Sequence, residues 1–258
     1  MIATAGLQVG HGHAIGAGLL SELAAFPFPI IRIDLQENTQ QDTMLFAQEV
    51  IDAGLQPLCI IRRAEQMLVL PHGSLIELGN EPDLEHFGWT LESYVAEAAE
   101  CVPIAVELGL RLYLGVVSNL NRRGFTFLKR MPWASYPQQI CCSIHRYPEG
   151  NNPETPHFGW RSREAEVATL RNIVGSTRAL ACTEIGYHDG PGGSTEETVA
   201  ANMVWERRFF SQQGFEIVSA YNINDGPADD PAPIAHYGFR RLDGTWKPVA
   251  FAFTQGDE

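Results

Sequence analysis

The feature of this sequence that most constrains its fold is a regular alternation between short apolar runs and longer amphipathic stretches. Eight runs have the length of a β-strand and are rich in Val, Ile, Leu and Cys. They occupy residues 5–10, 29–35, 56–62, 74–79, 110–117, 139–145, 179–185 and 215–222. Near-continuous apolar strands are typical of a parallel sheet that is covered on both faces. The alternation therefore predicts an α/β protein built from repeated βα units.

Helix candidates fill the intervals between these runs. The clearest occupy residues 13–26, 42–53, 91–108, 161–174 and 194–213, and a short one at 248–253 would follow the eighth strand. Thr90 precedes the candidate at 91–108, and Ser194 stands three residues before Glu197, which is the spacing of a capping box. A chain of 258 residues is about the size of one complete barrel. We therefore predict a (β/α)8 TIM barrel that forms a single compact domain over residues 1–258.

The charge of the chain limits the kind of partner that it can bind. Its formal net charge is −13 at pH 7, whereas nucleic-acid binding depends on Lys and Arg side chains that neutralise phosphates. The pairs Arg62-Arg63 and Arg122-Arg123 are too short to reverse this balance. No stretch approaches the roughly 20 apolar residues of a membrane span. We expect a neutral substrate, with neither nucleic acid nor a membrane as partner.

Five cysteines bear on the cellular compartment. Their number is odd, and none of their spacings matches the CxxC of a zinc site. Four of the five lie in predicted strands, which indicates buried free thiols. We expect a soluble protein that is cytoplasmic, or secreted if a leader has been removed.

Two glutamates follow predicted strands on opposite sides of the barrel. The fourth strand ends in Asn80-Glu81-Pro82, and the seventh ends in Thr183-Glu184. In this architecture active sites lie at the carboxyl ends of the strands, so the two carboxylates would face each other across the mouth. Glycoside hydrolysis needs such a pair, because one carboxyl group protonates the leaving oxygen while the other acts at the anomeric carbon.

These residues resemble the motifs of the clan A retaining glycoside hydrolases, and most closely those of the family 5 cellulase and mannanase type. Asn80-Glu81-Pro82 is similar to the acid/base motif of the clan, and Thr183-Glu184 resembles its nucleophile strand. His145-Arg146-Tyr147 is similar to the His-x-Tyr of family 5, and Arg32 stands where that family keeps an arginine. The segment at residues 243–248 also resembles the ending of the clan.

The resemblance implies a role for each of these side chains. Glu81 would be the acid/base and Glu184 the nucleophile of a double displacement on β-linked oligosaccharides or polysaccharides, with no cofactor and no metal. Arg32 and Tyr147 would keep Glu184 ionised and fix its rotamer.

The same resemblance implies further substrate contacts. Asn80 would bind the sugar 2-hydroxyl, and His145 would orient Tyr147, Glu81 or a substrate hydroxyl. Tyr221 or Asn222 stands where the clan keeps a tryptophan. Further substrate contacts are expected from Tyr221, His13 and Trp160.

Two other functions remain open at this point. The pair His11 and His13 resembles the metal-binding HxH of amidohydrolase-type barrels, which activate a water on a metal. A carbohydrate-binding barrel without catalysis is the second alternative. Arg32, in the middle of an apolar strand, needs a partner, and Asp34 is one candidate for a purely structural ion pair.

Overall fold

Eight parallel strands close into a barrel in which each strand pairs with the next along the chain and β8 pairs with β1. The computed structural model describes residues 3–8, 17–26, 28–35, 40–148, 152–157, 159–226 and 234–255. The strands are β1 (Thr4–Gln8), β2 (Ile30–Asp34), β3 (Gln56–Ile61), β4 (Leu75–Leu78), β5 (Arg111–Val117), β6 (Ile140–Arg146), β7 (Leu180–Ile185) and β8 (Phe215–Ala220). The predicted (β/α)8 TIM barrel is confirmed.

Helices follow most of the strands and cover the outside of the barrel. They are α1 (Ala17–Ala25), α2 (Gln40–Asp52), α3 (Leu91–Glu107), α4 (Arg122–Arg130), α5 (Arg163–Val174), α6 (Glu196–Gln212) and α7 (Pro248–Gln255). After β3 the chain forms a 3-10 helix, Ala64–Val69.

The helix-start prediction was right at α3 and wrong at α6. The Thr90 hydroxyl accepts the backbone N–H of Ser93 at 3.1 Å, and the Ser93 side chain bonds back to the backbone of Thr90. For α6 the cap is Thr195 rather than Ser194, because it is the Thr195 hydroxyl that accepts the backbone N–H of Thr198. The helix therefore begins one residue later than the capping-box spacing predicted.

The barrel interior is filled in layers, because every second residue of a strand points inward. One apolar layer takes a single side chain from each of β2 to β8 and none from a helix. It consists of Ile30, Leu58, Leu75, Tyr113, Cys141, Ala181 and Ile217. The alternate strand residues pack outward with the helices in the main hydrophobic core.

A polar layer lies directly above this apolar one, towards the carboxyl ends of the strands. Its members stand two residues further along strands β2, β4, β6, β7 and β8, joined by the last residue of β1, and all are buried. They are Gln8, Arg32, Glu77, Ser143, Thr183 and Ser219. Burying polar groups without partners is costly, and five of these side chains are joined by hydrogen bonds. Among the described residues, the hydroxyl of Ser219 has no partner.

A separate group of charges is buried outside the barrel, on β6, on α5 and α6, and in the loop between β6 and α5. Arg146 and Arg163 both bind Glu206 on α6, with Arg146 Nε at 3.3 Å from Oε1 and Arg163 Nη2 at 2.9 Å from Oε2. His157 Nδ1 lies 3.1 Å from Glu166 Oε1. We refer to these five residues as the outer cluster. Each positive arginine is matched by one carboxylate.

The described residues also bear on two other predictions. All five cysteines are buried free thiols, as expected. Among the helices that the structure describes, none combines the length and the apolar character needed to cross a bilayer.

Candidate active site

A bulge in β7 aims Glu184 into the mouth of the barrel. Strict alternation after the inward-facing Thr183 would turn Glu184 outward. Against β6, however, Cys182 pairs with Ile144 and Glu184 pairs with His145, so β7 carries one extra residue at this point. An extra residue of this kind rotates the following side chain to the other face. Glu184 consequently lies on the same side of the strand as Thr183.

An unusual backbone conformation places Glu81 after the end of β4. Glu81 has φ of 43°, in the left-handed region that non-glycine residues rarely adopt. Gly79, with φ of 70°, precedes it, and a Cβ there would lie 2.9 Å from Trp89 Nε1. Strained residues of this kind cluster at functional sites, where the surrounding structure holds them in place.

Glu81, His145 and Glu184 converge above the polar layer. One oxygen of each glutamate and one ring nitrogen of the histidine lie within 4.8 Å of one another, and all three residues are buried. His145 Nδ1 is 3.1 Å from Glu81 Oε1 and 3.8 Å from Glu184 Oε2. The sequence prediction that residues of the fourth, sixth and seventh strands meet at one point agrees with this geometry.

Arg32 links the carboxylate of Glu184 to the other side chains of the polar layer. Its Nη1 lies 2.6 Å from Glu184 Oε2, and its Nε lies 2.8 Å from Glu77 Oε2. Nη2 donates to Asn80 Oδ1 at 2.8 Å, and Nη1 also donates to the side-chain oxygen of Gln8. Among the described residues, the ion pairs of Arg32 are therefore with Glu77 and Glu184 rather than with Asp34.

Three tyrosines form an aromatic wall beside Glu184. The Tyr147 hydroxyl donates a hydrogen bond to Glu184 Oε1. Its ring contacts those of Tyr221 and Tyr237, with centroids 6.2 and 5.6 Å away. Tyr221 is joined to Asn222 by a cis peptide bond. These are the two residues that, in the sequence analysis, take the place of the tryptophan of the clan. Burial, with the negative charges of Glu184 and Glu81, raises the pKa of Tyr147 well above its ordinary value, so the phenol remains a donor.

The charges at this point do not balance. We define the inner cluster as Arg32, Glu77, Glu81, His145 and Glu184. It holds three carboxylates against one guanidinium, so it favours the uptake of a proton.

Two members of the inner cluster show the effect of this imbalance. Burial opposes protonation of His145, but the charge of Glu184 and hydrogen bonds to Glu77 and Glu81 raise its pKa to about 9. Burial would raise the pKa of Glu77, yet the charge of Arg32 and the hydrogen bonds of His145 and Arg32 lower it to about 2. Glu77 therefore stays ionised, and the proton resides on the His145 side of the cluster.

A divalent cation would find possible ligands in Glu81, His145 and Glu184. The charge of Arg32 is already placed against Glu184 Oε2, and Tyr147 donates to Glu184 Oε1. A metal ion would have to displace these donors and sit close to a guanidinium. The donor set consequently fits a proton-sharing pair of carboxylates better than a cation.

The other predicted site residues have varied surroundings. Asn80 is buried, and its side-chain oxygen is held by Arg32. Trp160 packs on Phe125 at 4.8 Å between ring centroids and donates from Nε1 to the Leu120 carbonyl at 3.1 Å. These contacts attach it to the loop after β5, and its role as a sugar contact stays a prediction. His13, like His11, lies outside the described residues.

Sequence reasoning missed Glu77 and Tyr237. Glu77 is the one charged residue among the apolar residues of β4. Arg32 is the one basic residue of β2, which lies two strands away. Because buried charges need partners, these two residues could have been predicted to form an ion pair. Tyr237 lies in an irregular segment near the end of the chain, where nothing in the local sequence indicates a place beside Glu184.

Comparison with known proteins establishes likeness at the level of structure. No protein-family model matches the sequence, and no curated protein matches it. The chain is similar to a family 39 glycoside hydrolase from Bacteroides cellulosilyticus WH2, with a TM-score of 0.70 and 16% sequence identity. This alignment covers 97% of the present chain and 63% of that protein, so the chain spans less than two thirds of its length.

Two other similar structures are matched over nearly their whole length. A GH5-4 broad-specificity endoglucanase from Clostridium acetobutylicum has a TM-score of 0.65 at 13% identity, over 98% of this chain and 96% of that one. A β-mannanase from Thermomonospora fusca has a TM-score of 0.67 at 13% identity, over 99% and 89%. The fold is thus the (β/α)8 barrel found in glycoside hydrolases of families 5 and 39, as the resemblance implied.

Proposed function

We propose that this protein is a retaining glycoside hydrolase that cleaves β-glycosidic bonds of an oligosaccharide or polysaccharide, with Glu81 as acid/base and Glu184 as nucleophile. The observation that supports this most is the approach of the two carboxylates to within 4.8 Å at the mouth of the barrel. Retaining glycosidases have carboxyl groups roughly 5–5.5 Å apart, whereas inverting enzymes need roughly 6.5–9.5 Å to admit a water. The endoglucanase and the β-mannanase that share the fold support a β-glycan substrate.

The contacts of Glu184 suit a nucleophile. Both of its oxygens accept strong donors, one from Arg32 and the other from Tyr147. These bonds stabilise the ionised form and leave one rotamer, so that an oxygen can attack the anomeric carbon without first reorganising. Asn80, whose oxygen is held by Arg32, keeps its amide N–H groups for the sugar hydroxyl.

The contacts of Glu81 suit a proton donor. His145 Nδ1 lies 3.1 Å from Glu81 Oε1, so the two groups can share one proton. Glu81 delivers that proton to the leaving oxygen as Glu184 forms the glycosyl ester. Because the ester carries no charge, the surplus of negative charge falls, which favours the ionised form of Glu81 and lets it deprotonate the attacking water.

The test is a screen of aryl β-glycosides, β-glucans and β-mannans that compares the wild type with Glu184→Gln and Glu81→Ala. We expect hydrolysis by the wild type only, restored in Glu81→Ala by azide acting as nucleophile on the glycosyl ester. NMR of the first product should show the same anomeric configuration as the substrate.

Each alternative function has its own outcome in the same screen. Loss of wild-type hydrolysis in a chelator would favour a metal-activated water. An inverted first product would exclude the double displacement. Binding of glycans without turnover would point to a carbohydrate-binding barrel.

A further inference from the structure

Tyr147 is held in place through its backbone as well as through its hydroxyl. Its backbone N–H donates to Asn119 Oδ1 at 2.9 Å. Asn119 lies just beyond the end of β5 at Val117, whereas Tyr147 is the first residue after β6. One side chain in the loop after β5 therefore fixes the start of the loop after β6, at the residue that contacts Glu184.

Asn119 is itself fixed by His157. The Nε2 atom of His157 lies 2.7 Å from Asn119 Oδ1. Because the backbone N–H of Tyr147 can only donate, the Asn119 atom that faces it must be the oxygen. The contacts of this oxygen with Tyr147 and His157 together fix the direction of the Asn119 side chain.

His157 is anchored in the outer cluster. Its side chain is 1% exposed, and its backbone N–H donates to Glu166 Oε1. Arg146 Nη1 lies 2.8 Å from Nε2, and the same guanidinium contacts Glu206 on α6. A continuous series of short contacts therefore leads from α6 through the side of the barrel to the carboxylate of Glu184.

We propose that Asn119 and His157 are positioning residues, which act on the reaction by holding Tyr147 against Glu184. This inference rests on the proposed function, since it assigns them a part in orienting the nucleophile. Neither residue needs to touch substrate. A displacement of about 1 Å at a nucleophile is enough to cost up to about a hundredfold in rate, so a loosened Tyr147 lowers kcat more than it changes KM.

A double-mutant cycle tests this coupling. Asn119→Ala should lower kcat roughly fivefold to tenfold with little change in KM, because orientation and not substrate binding is lost. In a Tyr147→Phe background the same substitution should cost less than about twofold, since the hydroxyl it positions is already gone. Asn119→Asp keeps an acceptor oxygen and should restore most of the activity. Asn119→Leu, which keeps the volume, replaces the alanine variant if that one does not fold.

Ser162→Ala is the matched control for a general loss of stability. The Ser162 hydroxyl caps α5 by accepting the backbone N–H of Ala165 at 3.3 Å, and its removal should lower the melting temperature without lowering kcat. Equal losses from Asn119→Ala in both backgrounds would overturn the proposal.

A crystal structure of Asn119→Ala gives a test that needs no activity. The Tyr147 hydroxyl should lie beyond hydrogen-bond distance of Glu184 Oε1 in that variant, and an unmoved hydroxyl would contradict the inference. Should the wild type hydrolyse no glycoside, the proposed function fails, while this measurement still decides whether Asn119 positions Tyr147.

Discussion

The inner and outer clusters lie on opposite sides of the same strand, and their charges are arranged differently. Neighbouring residues of β6 begin each of them, with His145 facing into the barrel and Arg146 facing the helices. The outer cluster pairs two arginines with two glutamates, whereas the inner one places three carboxylates around a single arginine. A balanced set holds the fold together, and an unbalanced set must take up and release protons. Substitutions in the inner cluster should therefore lower activity more than stability, and substitutions in the outer cluster should lower stability more than activity.

The largest effect is expected from Glu184→Gln. Loss of the attacking oxygen should lower kcat/KM at least about 10⁴-fold. Because Arg32 keeps its partner Glu77, the free energy of unfolding should fall by less than the roughly 3–5 kcal/mol expected when a buried ion pair is broken. Kinetics on an aryl β-glycoside and urea denaturation measure the two quantities. A large loss of stability with little loss of rate would reverse the assignment of the inner cluster.

The corresponding change in the outer cluster is Glu206→Gln. It leaves Arg146 and Arg163 buried without their shared carboxylate, and breaking a buried pair in this way costs about 3–5 kcal/mol. We expect that loss in urea denaturation. Activity of the folded protein should fall by less than about tenfold, because every group of the inner cluster is retained. Stability equal to that of the wild type would show that the outer cluster is not structural.

The pH dependence of stability should come mainly from the inner cluster. His145 has its pKa raised from 6.5 to about 9, so its proton stabilises the fold fully below about pH 6.5, and this contribution disappears as the pH rises through 9. Glu77 has its pKa lowered from 4.5 to about 2, so its charge stabilises the fold above about pH 4.5 and is lost as the pH falls towards 2. Each contribution is about 3 kcal/mol at most.

Urea denaturation across this pH range separates the two groups. The free energy of unfolding should be highest between about pH 4.5 and 6.5. His145→Gln should flatten the alkaline side of the curve, and Glu77→Gln the acid side. A wild-type stability that rises between pH 7 and 9 relative to His145→Gln would contradict the prediction.

The smallest effects come from the same substitution made at a tyrosine beside each cluster. Tyr147 donates its hydroxyl to Glu184, and Tyr187 donates to Glu206 Oε1 at 2.9 Å. Tyr147→Phe should lower kcat/KM about tenfold with little change in melting temperature. Tyr187→Phe should lower the free energy of unfolding by about 1.5 kcal/mol and leave the rate within about twofold. If both variants lost the same property, the distinction between the clusters would fail.

The fold was predictable from sequence because the strands of a barrel are buried on both faces. Long apolar runs such as those of β5 and β6 identify the strands in the sequence. At nearly every strand end, the predicted and the observed limits differ by no more than two residues. The helix caps were less reliable, since both Ser194 and Thr195 have a hydroxyl that can cap. Local chemistry could not choose between them.

The site was predictable where a motif lies at the end of a strand. Glu81 and Glu184 met as expected because topology brings the fourth and seventh strands to opposite walls. The bulge in β7 and the left-handed backbone at Glu81, which complete this approach, were not predicted. Glu77 and the outer cluster were not predicted, since each needs pairing across segments far apart in the chain. Arg32 contacts Glu184 as expected, whereas the alternative ion pair with Asp34 is replaced by one with Glu77, which is far in sequence but faces the same interior.

The extra residue in β7 decides which face of the strand Glu184 occupies. A strand of ordinary pleat would present Thr183 to the interior and Glu184 to the helices. The position of the Glu184 carboxylate is thus set by a count of residues, and not only by which residue is present. Removing one residue before Glu184 would leave every side chain of the inner cluster in the polypeptide while turning this carboxylate towards the helices.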